Sequence, residues 1–326
     1  MNTLHKLIAA AVLATVAGVS VAQPAASATV TAQLVRIVVP DLAGEHIDDV
    51  ARMVTARLDS PSRKFVIENR PGDYYHFGAE IVSRSRPDGN TLLFAPVTQY
   101  AAAISQFANL YYDLQSDFAA VALVANAPHA LVVHPSLRVK SVSELIAIAK
   151  ARPGEVKWGT HGTTSLSRLE MEMFRNLSGI SVDTTPSNSG RMGLRDLLGG
   201  NTAVVFDSLF NVLPLVNSNR AHVIAIAGSR RSPALPQLPT IAEAGVAGFE
   251  ADYWYGILAP EGVDPAIIKS LHGEFARALA SDSVKKSLLS FGIETRGDGP
   301  ADFAKILRAD LARWAQVAKR AGIAPR

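Results

Sequence analysis

Cysteine is absent from all 326 residues, which excludes a disulfide framework, a lipidated cysteine anchor, a thiolate metal site and a cysteine nucleophile together. Aromatic residues are scarce at 7%, no run of Lys and Arg is interleaved with them, and the formal charge is only +3 at pH 7. A nucleic-acid footprint is therefore missing, and nucleic acid is dropped as a partner. After the N-terminal segment no apolar run is long enough to cross a bilayer. The Gly-x-Ser-x-Gly elbow of serine hydrolases is missing as well; "GTHGTTS" is not one.

What is present is apolar substance. Hydrophobic residues make up 48% of the chain, enough for a large core, and the length is that of about two domains. Residues 1–28 differ from the rest: His5 and Lys6 precede an alanine-rich apolar run from Leu7 to Ala22, followed by small residues. This pattern predicts a cleaved secretory signal peptide, with cleavage after residue 22 or after residue 28. Its removal takes away Lys6 and no acid, leaving 3 − 1 = +2 on the mature chain. The expected product is a soluble protein outside the cytoplasm.

Short continuous apolar runs recur at 36–39, 65–67, 91–94, 130–133, 156–158, 203–206, 223–227 and 256–258. Continuous runs predict strands buried on both faces of a parallel sheet. Helical patterns lie between them. Ser141 to Glu144 reads as a capping box with Leu145, Ile148 and Ala149 on the apolar face, and 264–320 reads as strongly helical, with Phe303, Ile306, Leu307, Leu311 and Trp314 facing a core. The alternation predicts α/β architecture, and strand-first blocks near Arg36 and Leu131 predict two lobes.

Several stretches, in order, carry a resemblance: "RIVVP" with Asp48, "ENRPG" at 68–72, "PDGNTLLFAP" at 87–96, "DFAAVALVA" at 117–125, "DLLGG" at 196–200, "VVFDSL" at 204–209, "RSPALPQLPTIAEAGVAGFE" at 231–250 and "RWAQVAKRAGIAP" at 313–325. Together they resemble the Bug receptors, the periplasmic substrate-binding proteins of tripartite tricarboxylate transporters. The resemblance implies a two-lobed clamshell of periplasmic-binding type, each lobe a mainly parallel sheet flanked by helices. It implies that the chain crosses between the lobes twice, with 33–126 plus 252–326 in one lobe and 127–251 in the other. It also implies a small organic ligand between the lobes, commonly a carboxylate, a membrane permease as partner, a monomeric state, and neither a cofactor nor a catalytic group.

Four loops depart from the family's pattern. An aromatic residue and a glycine pair after "VVP" are replaced by Asp41 and Gly44-Glu45-His46, although Asp48 is kept. A glycine-rich turn after "ENRPG" is replaced by Asp73-Tyr74-Tyr75-His76-Phe77-Gly78. A histidine near the end of "WGTHGTTSLSR" is replaced by Arg168, and a proline-tyrosine-lysine-glycine stretch by Pro186-Ser187-Asn188-Ser189. Loops at the carboxyl ends of strands, leading into helix N-termini, are where α/β proteins hold ligands. The candidate binding residues are thus Gly44, Glu45, His46, Asp48, Tyr74, Tyr75, His76, Thr98, Thr160, His161, Thr163, Ser165, Ser187 and Asn188, with Asp207 at the floor. Each has a plainer reading. Asp48 suits a first-turn acid, Glu45 a solvated charge, the tyrosines packing and the histidines structural positions.

These exchanges predict that the loops at 43–48, 73–78, 160–165 and 186–189 face one another, and that the ligand carries at most one negative charge, with a nitrogen group or an aromatic ring. Two other readings stay open: a sensory receptor working by the same closure, and a metal-dependent hydrolase built on Glu45, His46, Asp48, His76 and His161.

Overall fold

The computed structural model describes residues 32–58, 60, 62–72, 75–186, 192–216, 218 and 220–325. The expected signal peptide, Tyr74, Ser187 and Asn188 lie outside the described residues. The first half of the chain runs β1 (Gln33–Val39), α1 (His46–Thr55), β2 (Arg63–Asn69), α2 (His76–Ser83), β3 (Thr91–Pro96), α3 (Val97–Ile104), β4 (Phe118–Asn126), β5 (His129–Val133), α4 (Val142–Ala151), β6 (Lys157–Thr160) and α5 (Leu166–Ser178). It continues through β7 (Asp183–Pro186), α6 (Met192–Leu198), β8 (Val204–Ser208), α7 (Leu209–Val216), β9 (His222–Ile226), β10 (Trp254–Pro260), α8 (Pro265–Ala280), α9 (Asp282–Leu289), β11 (Glu294–Thr295) and α10 (Pro300–Arg320).

These elements form two sheets, ordered β11-β4-β10-β3-β1-β2 and β7-β6-β8-β5-β9. The expected clamshell of two helix-flanked sheets is what forms, but the sheets are mixed rather than mainly parallel. β1, β2 and β3 pair in parallel, as do β6, β7 and β8. The strands adjoining the crossovers break that order: β10 pairs antiparallel with β3 and β4, and β5 pairs antiparallel with β8 and β9. A strand arriving from the other sheet has no βαβ crossover to turn it round, so it enters in the opposite sense.

Burial explains the continuous runs. All of β3 and β10 is buried, because helices cover both faces. At Gly256 the C-terminal helix α10 lies so close that an added Cβ would fall 2.2 Å from the Phe303 ring, so this strand needs glycine to be covered. The second sheet packs Trp158, Phe174, Phe206 and Phe249 into one aromatic group, with neighbouring ring centroids 5.3 to 6.4 Å apart. Half of the capping box forms: Ser141 Oγ accepts the Glu144 N–H at 3.2 Å, but Glu144 reaches one residue further back and accepts the Lys140 N–H at 2.7 Å.

The chain passes between the sheets after β4 and again before β10, and the two passages hydrogen-bond to each other. Ala127 N–H donates to the Tyr253 carbonyl at 2.8 Å, and the Asn126 amide to the Asp252 carboxylate at 3.2 Å. A two-stranded ribbon joins the lobes.

Candidate functional site

The carboxyl ends of β1, β2, β6 and β8 lead into loops and helices that surround one cavity of about 320 Å³. Asp41, Glu45, His46 and Tyr75 line it from the first sheet, and His161, Leu194, Arg195, Leu198, Asp207 and Asn211 from the second. Ligands of α/β folds bind in such crevices.

Its floor is an ion pair. His161 Nε2 lies 3.0 Å from Asp207 Oδ2. Burial alone would lower the imidazole pKa, but the Asp207 carboxylate, with Glu170 and the Phe206 carbonyl assisting, outweighs it and holds His161 above its ordinary value. Asp207 moves the opposite way. Burial would raise it, whereas His161, the Asn211 amide at 2.9 Å and His129 keep it below the usual carboxylate range. The Ser208 N–H also donates to Asp207, at 2.7 Å. Each partner thus favours the charged form of the other.

On the facing wall His46 is held neutral. Burial drives its pKa down to about 4, with Asp207 opposing and His129 and His161 reinforcing the fall. Its ring packs against Phe210 with centroids 6.0 Å apart, and its Nδ1 is 3.9 Å from Asp41. Tyr75 precedes α2 in a left-handed conformation, φ 72°, rare for a bulky residue and concentrated at functional positions. Its carbonyl accepts the Tyr100 hydroxyl at 2.9 Å. Burial, with Asp41 and Asp207 nearby, keeps its phenol protonated.

Asp48 does not line the cavity. Its buried carboxylate accepts from Gly44 N–H at 2.8 Å, Arg52 Nε at 2.7 Å and Asn69 Nδ2 at 2.9 Å. Gly44, at φ +78°, thus serves the turn. Asp48→Asn leaves one donor facing another, and should lower the folding free energy by about 2 kcal/mol in urea denaturation while leaving the floor pair intact.

The small-residue loop is likewise engaged with itself. Thr160 Oγ1 and Ser165 Oγ each donate to the Gly162 carbonyl at 3.1 Å, and Ser165 caps α5. Thr163 is exposed and does not line the cavity. His76 faces elsewhere: its Nδ1 is 2.7 Å from the Tyr112 hydroxyl, beside Phe107. Thr98, on α3, is fully buried against the second crossover, 3.3 Å from the Asp252 carbonyl. Glu45, His46, Tyr75, His161 and Asp207 are therefore the sequence candidates that meet at one cavity. The five residues considered for a metal do not meet, and among the described residues no group of His, Asp and Glu is arranged to hold one.

Sequence reasoning missed Leu194, Arg195, Leu198 and Asn211, and noted Asp41 without placing it in the site. Signals existed for the helix residues: Leu194 and Leu198 lie four apart on one face of α6, beside Arg195, and Asn211 is one turn beyond Asp207.

Comparison with known proteins gives a consistent picture. The model of the tripartite tricarboxylate transporter family receptor matches residues 50–323. Protein BugT of Bordetella pertussis is 31% identical over 324 residues, 99% of each chain. Among solved structures, an R. palustris protein with adipate is 35% identical, covers 90% of this chain and 98% of its own, and superposes with a TM-score of 0.79. MatC from Rhodopseudomonas palustris with bound malate is 27% identical, covers 87% and 98%, and has a TM-score of 0.75.

Proposed function

Because the chain belongs to the tripartite tricarboxylate transporter receptor family, a family of periplasmic solute-binding proteins, we propose a specific form of that function for it. The receptor closes residues 33–126 plus 252–326 and residues 127–251, as two lobes, over a small organic molecule carrying at most one negative charge. It delivers this ligand, as a monomer freed of its signal peptide, to a membrane permease. The observation that carries the reading is the cavity lined from both sheets: contacts available only when both walls reach one molecule favour closure.

The charge on the walls supports the ligand class. Asp41, Glu45 and Asp207 contribute carboxylates, against Arg195 and a His161 imidazole whose proton Asp207 helps to hold. Relatives solved with adipate and malate hold dicarboxylates, but a second carboxylate here meets acidic neighbours. One carboxylate has a partner in Arg195, while a nitrogen group or an aromatic ring suits Asp41, Glu45 and Tyr75. No hydrolytic step is proposed, since the family consists of receptors.

Native mass spectrometry of gently purified protein should find a small molecule bound one to one. Titration calorimetry with citrate, succinate, glutamate, nicotinamide and cationic amines should favour the last three over the first two. Micromolar binding of citrate or succinate alone would sink the charge preference. Glu45→Gly should improve dianion binding about tenfold, worth about 1.4 kcal/mol.

A further inference from the structure

Against the ribbon between the lobes lies a hydroxyl with more acceptors than it has hydrogens. Thr98 Oγ1, on α3, takes the Trp254 N–H at 2.9 Å and stands 3.1 Å from Asp310 Oδ2, on α10, and 3.3 Å from the Asp252 carbonyl, in the second crossover. A threonine hydroxyl donates once. Who receives that hydrogen depends on whether Asp310 carries a proton.

We propose that Asp310 and Thr98 form a proton-operated latch on the second crossover. A protonated Asp310 donates its own O–H to Thr98, whose hydrogen then holds the Asp252 carbonyl. An ionised Asp310 draws that hydrogen to itself, and the carbonyl loses its donor. Asp252 passes the change on, because its side chain ties the two crossovers together. The Asn126 amide, at the end of β4, donates to it at 3.2 Å, and Ser229, beyond β9, donates its N–H at 3.2 Å and its hydroxyl at 2.7 Å. The fit is close: a Cβ on Gly228 would lie 2.7 Å from Asp252 Oδ1. Asp310 is thus a positioning residue, which sets the lobes rather than touching the ligand.

The charges around Asp310 put its titration in a useful range. Burial is the chief cause raising its pKa to about 7, with Asp252 and Glu250 adding, and Arg313 and the Thr98 hydrogen bond opposing. Arg313 Nη1 lies 3.6 Å from Asp310 while its Nη2 holds Glu250 at 2.7 Å. The other elements packed on α10 are quieter. α3, β4 and β10 carry no charged side chain. On α5, Glu170 is paired with His129, and Glu172 with Arg168 and Arg175.

The test uses the full mature chain without ligand, so it stands apart from the ligand assignment. Lys150→Cys on α4 and Lys269→Cys on α8 place one dye on each lobe of a chain with no other cysteine. The interdye distance is followed between about pH 5.5 and 8.5. The parent should change with one midpoint near neutrality. Asp310→Asn, whose amide donates to Thr98 as the acid does, should hold the low-pH distance throughout. Thr98→Ser keeps the hydroxyl and should keep the transition. A parent that does not change, or an Asp310→Asn protein with the parent's midpoint, overturns the latch.

Discussion

Asp207→Ala should cost about 3 to 5 kcal/mol of folding free energy in chemical denaturation, the scale for breaking one side of a buried ion pair. The carboxylate is 3% exposed, and His161, Asn211 and the Ser208 N–H all lose their acceptor with it. The His161 imidazole should then titrate below its ordinary value in a proton-detected NMR experiment, because burial remains and its counter-charge is gone. The pair also sets a pH window. Asp207, depressed on folding, contributes stability above 3.8 that is lost as pH falls through its folded value. His161, raised on folding, contributes below 6.5 and loses that contribution as pH rises through its folded value. The full contribution falls between those two limits. An Asp207→Ala protein as stable as the parent at about pH 5.5 would contradict this account.

Asp310→Asn should have the opposite sign. A carboxyl whose pKa rises from 3.8 to about 7 on folding binds its proton more tightly in the native state, so it disfavours folding increasingly from the lower value to the higher. The interval corresponds to on the order of 4 kcal/mol, at about 1.36 kcal/mol per pH unit. The stability difference between variant and parent should therefore grow by a few kcal/mol from about pH 4 to 8. His46 pulls the other way over much the same range. Its pKa falls from 6.5 to about 4 on folding, which costs stability as pH drops and amounts to on the order of 3 kcal/mol. In the parent the two slopes oppose each other between about pH 4 and 6.5; in Asp310→Asn the His46 slope is no longer offset by Asp310. Urea midpoints across that range measure both curves, and parallel curves would refute the Asp310 assignment.

Much of this architecture is legible in the sequence because burial on both faces leaves a plain signature. Each of the eight apolar runs overlaps a strand, with Val156, Ala203 and Ala227 falling one residue outside. β4 escapes the run pattern because small residues in Phe118–Asn126 weaken the apolar signal. β7 and β11, of four and two residues, are too short to show periodicity. Antiparallel entry of β5 and β10 was hidden for a different reason: strand sense is set by where the previous strand lies, which no local pattern records.

The site was legible where a loop leaves a strand and obscure where a helix presents a face. Glu45, His46, Tyr75, His161 and Asp207 follow or end strands, and strand ends can be counted. Arg195 reaches the cavity from α6, whose direction depends on packing against β6 and β8. Loop sequence records the acids and the absent lysine, whereas this cation comes from a helix face. Asp48 and Ser165 were drawn into the candidate set by position alone; their hydrogen bonds spend them on the loops that carry the site.

The place of β10 between β3 and β4 has a consequence for how the molecule is made. A chain emerging from its N-terminus can complete the 129–226 sheet early, while the other sheet has β1, β2 and β3 paired and β4 unpaired, awaiting residues 254–260. Until then β3 and β4, both almost wholly apolar, present unsatisfied edges toward each other across the missing strand. Ala95 cannot meet Gly256 until β10 has been delivered, nor can Phe303 close over it until the final helix has followed. The nascent protein thus holds one finished half and one aggregation-prone half, and the last stretch synthesised decides whether the first stretch is ever folded.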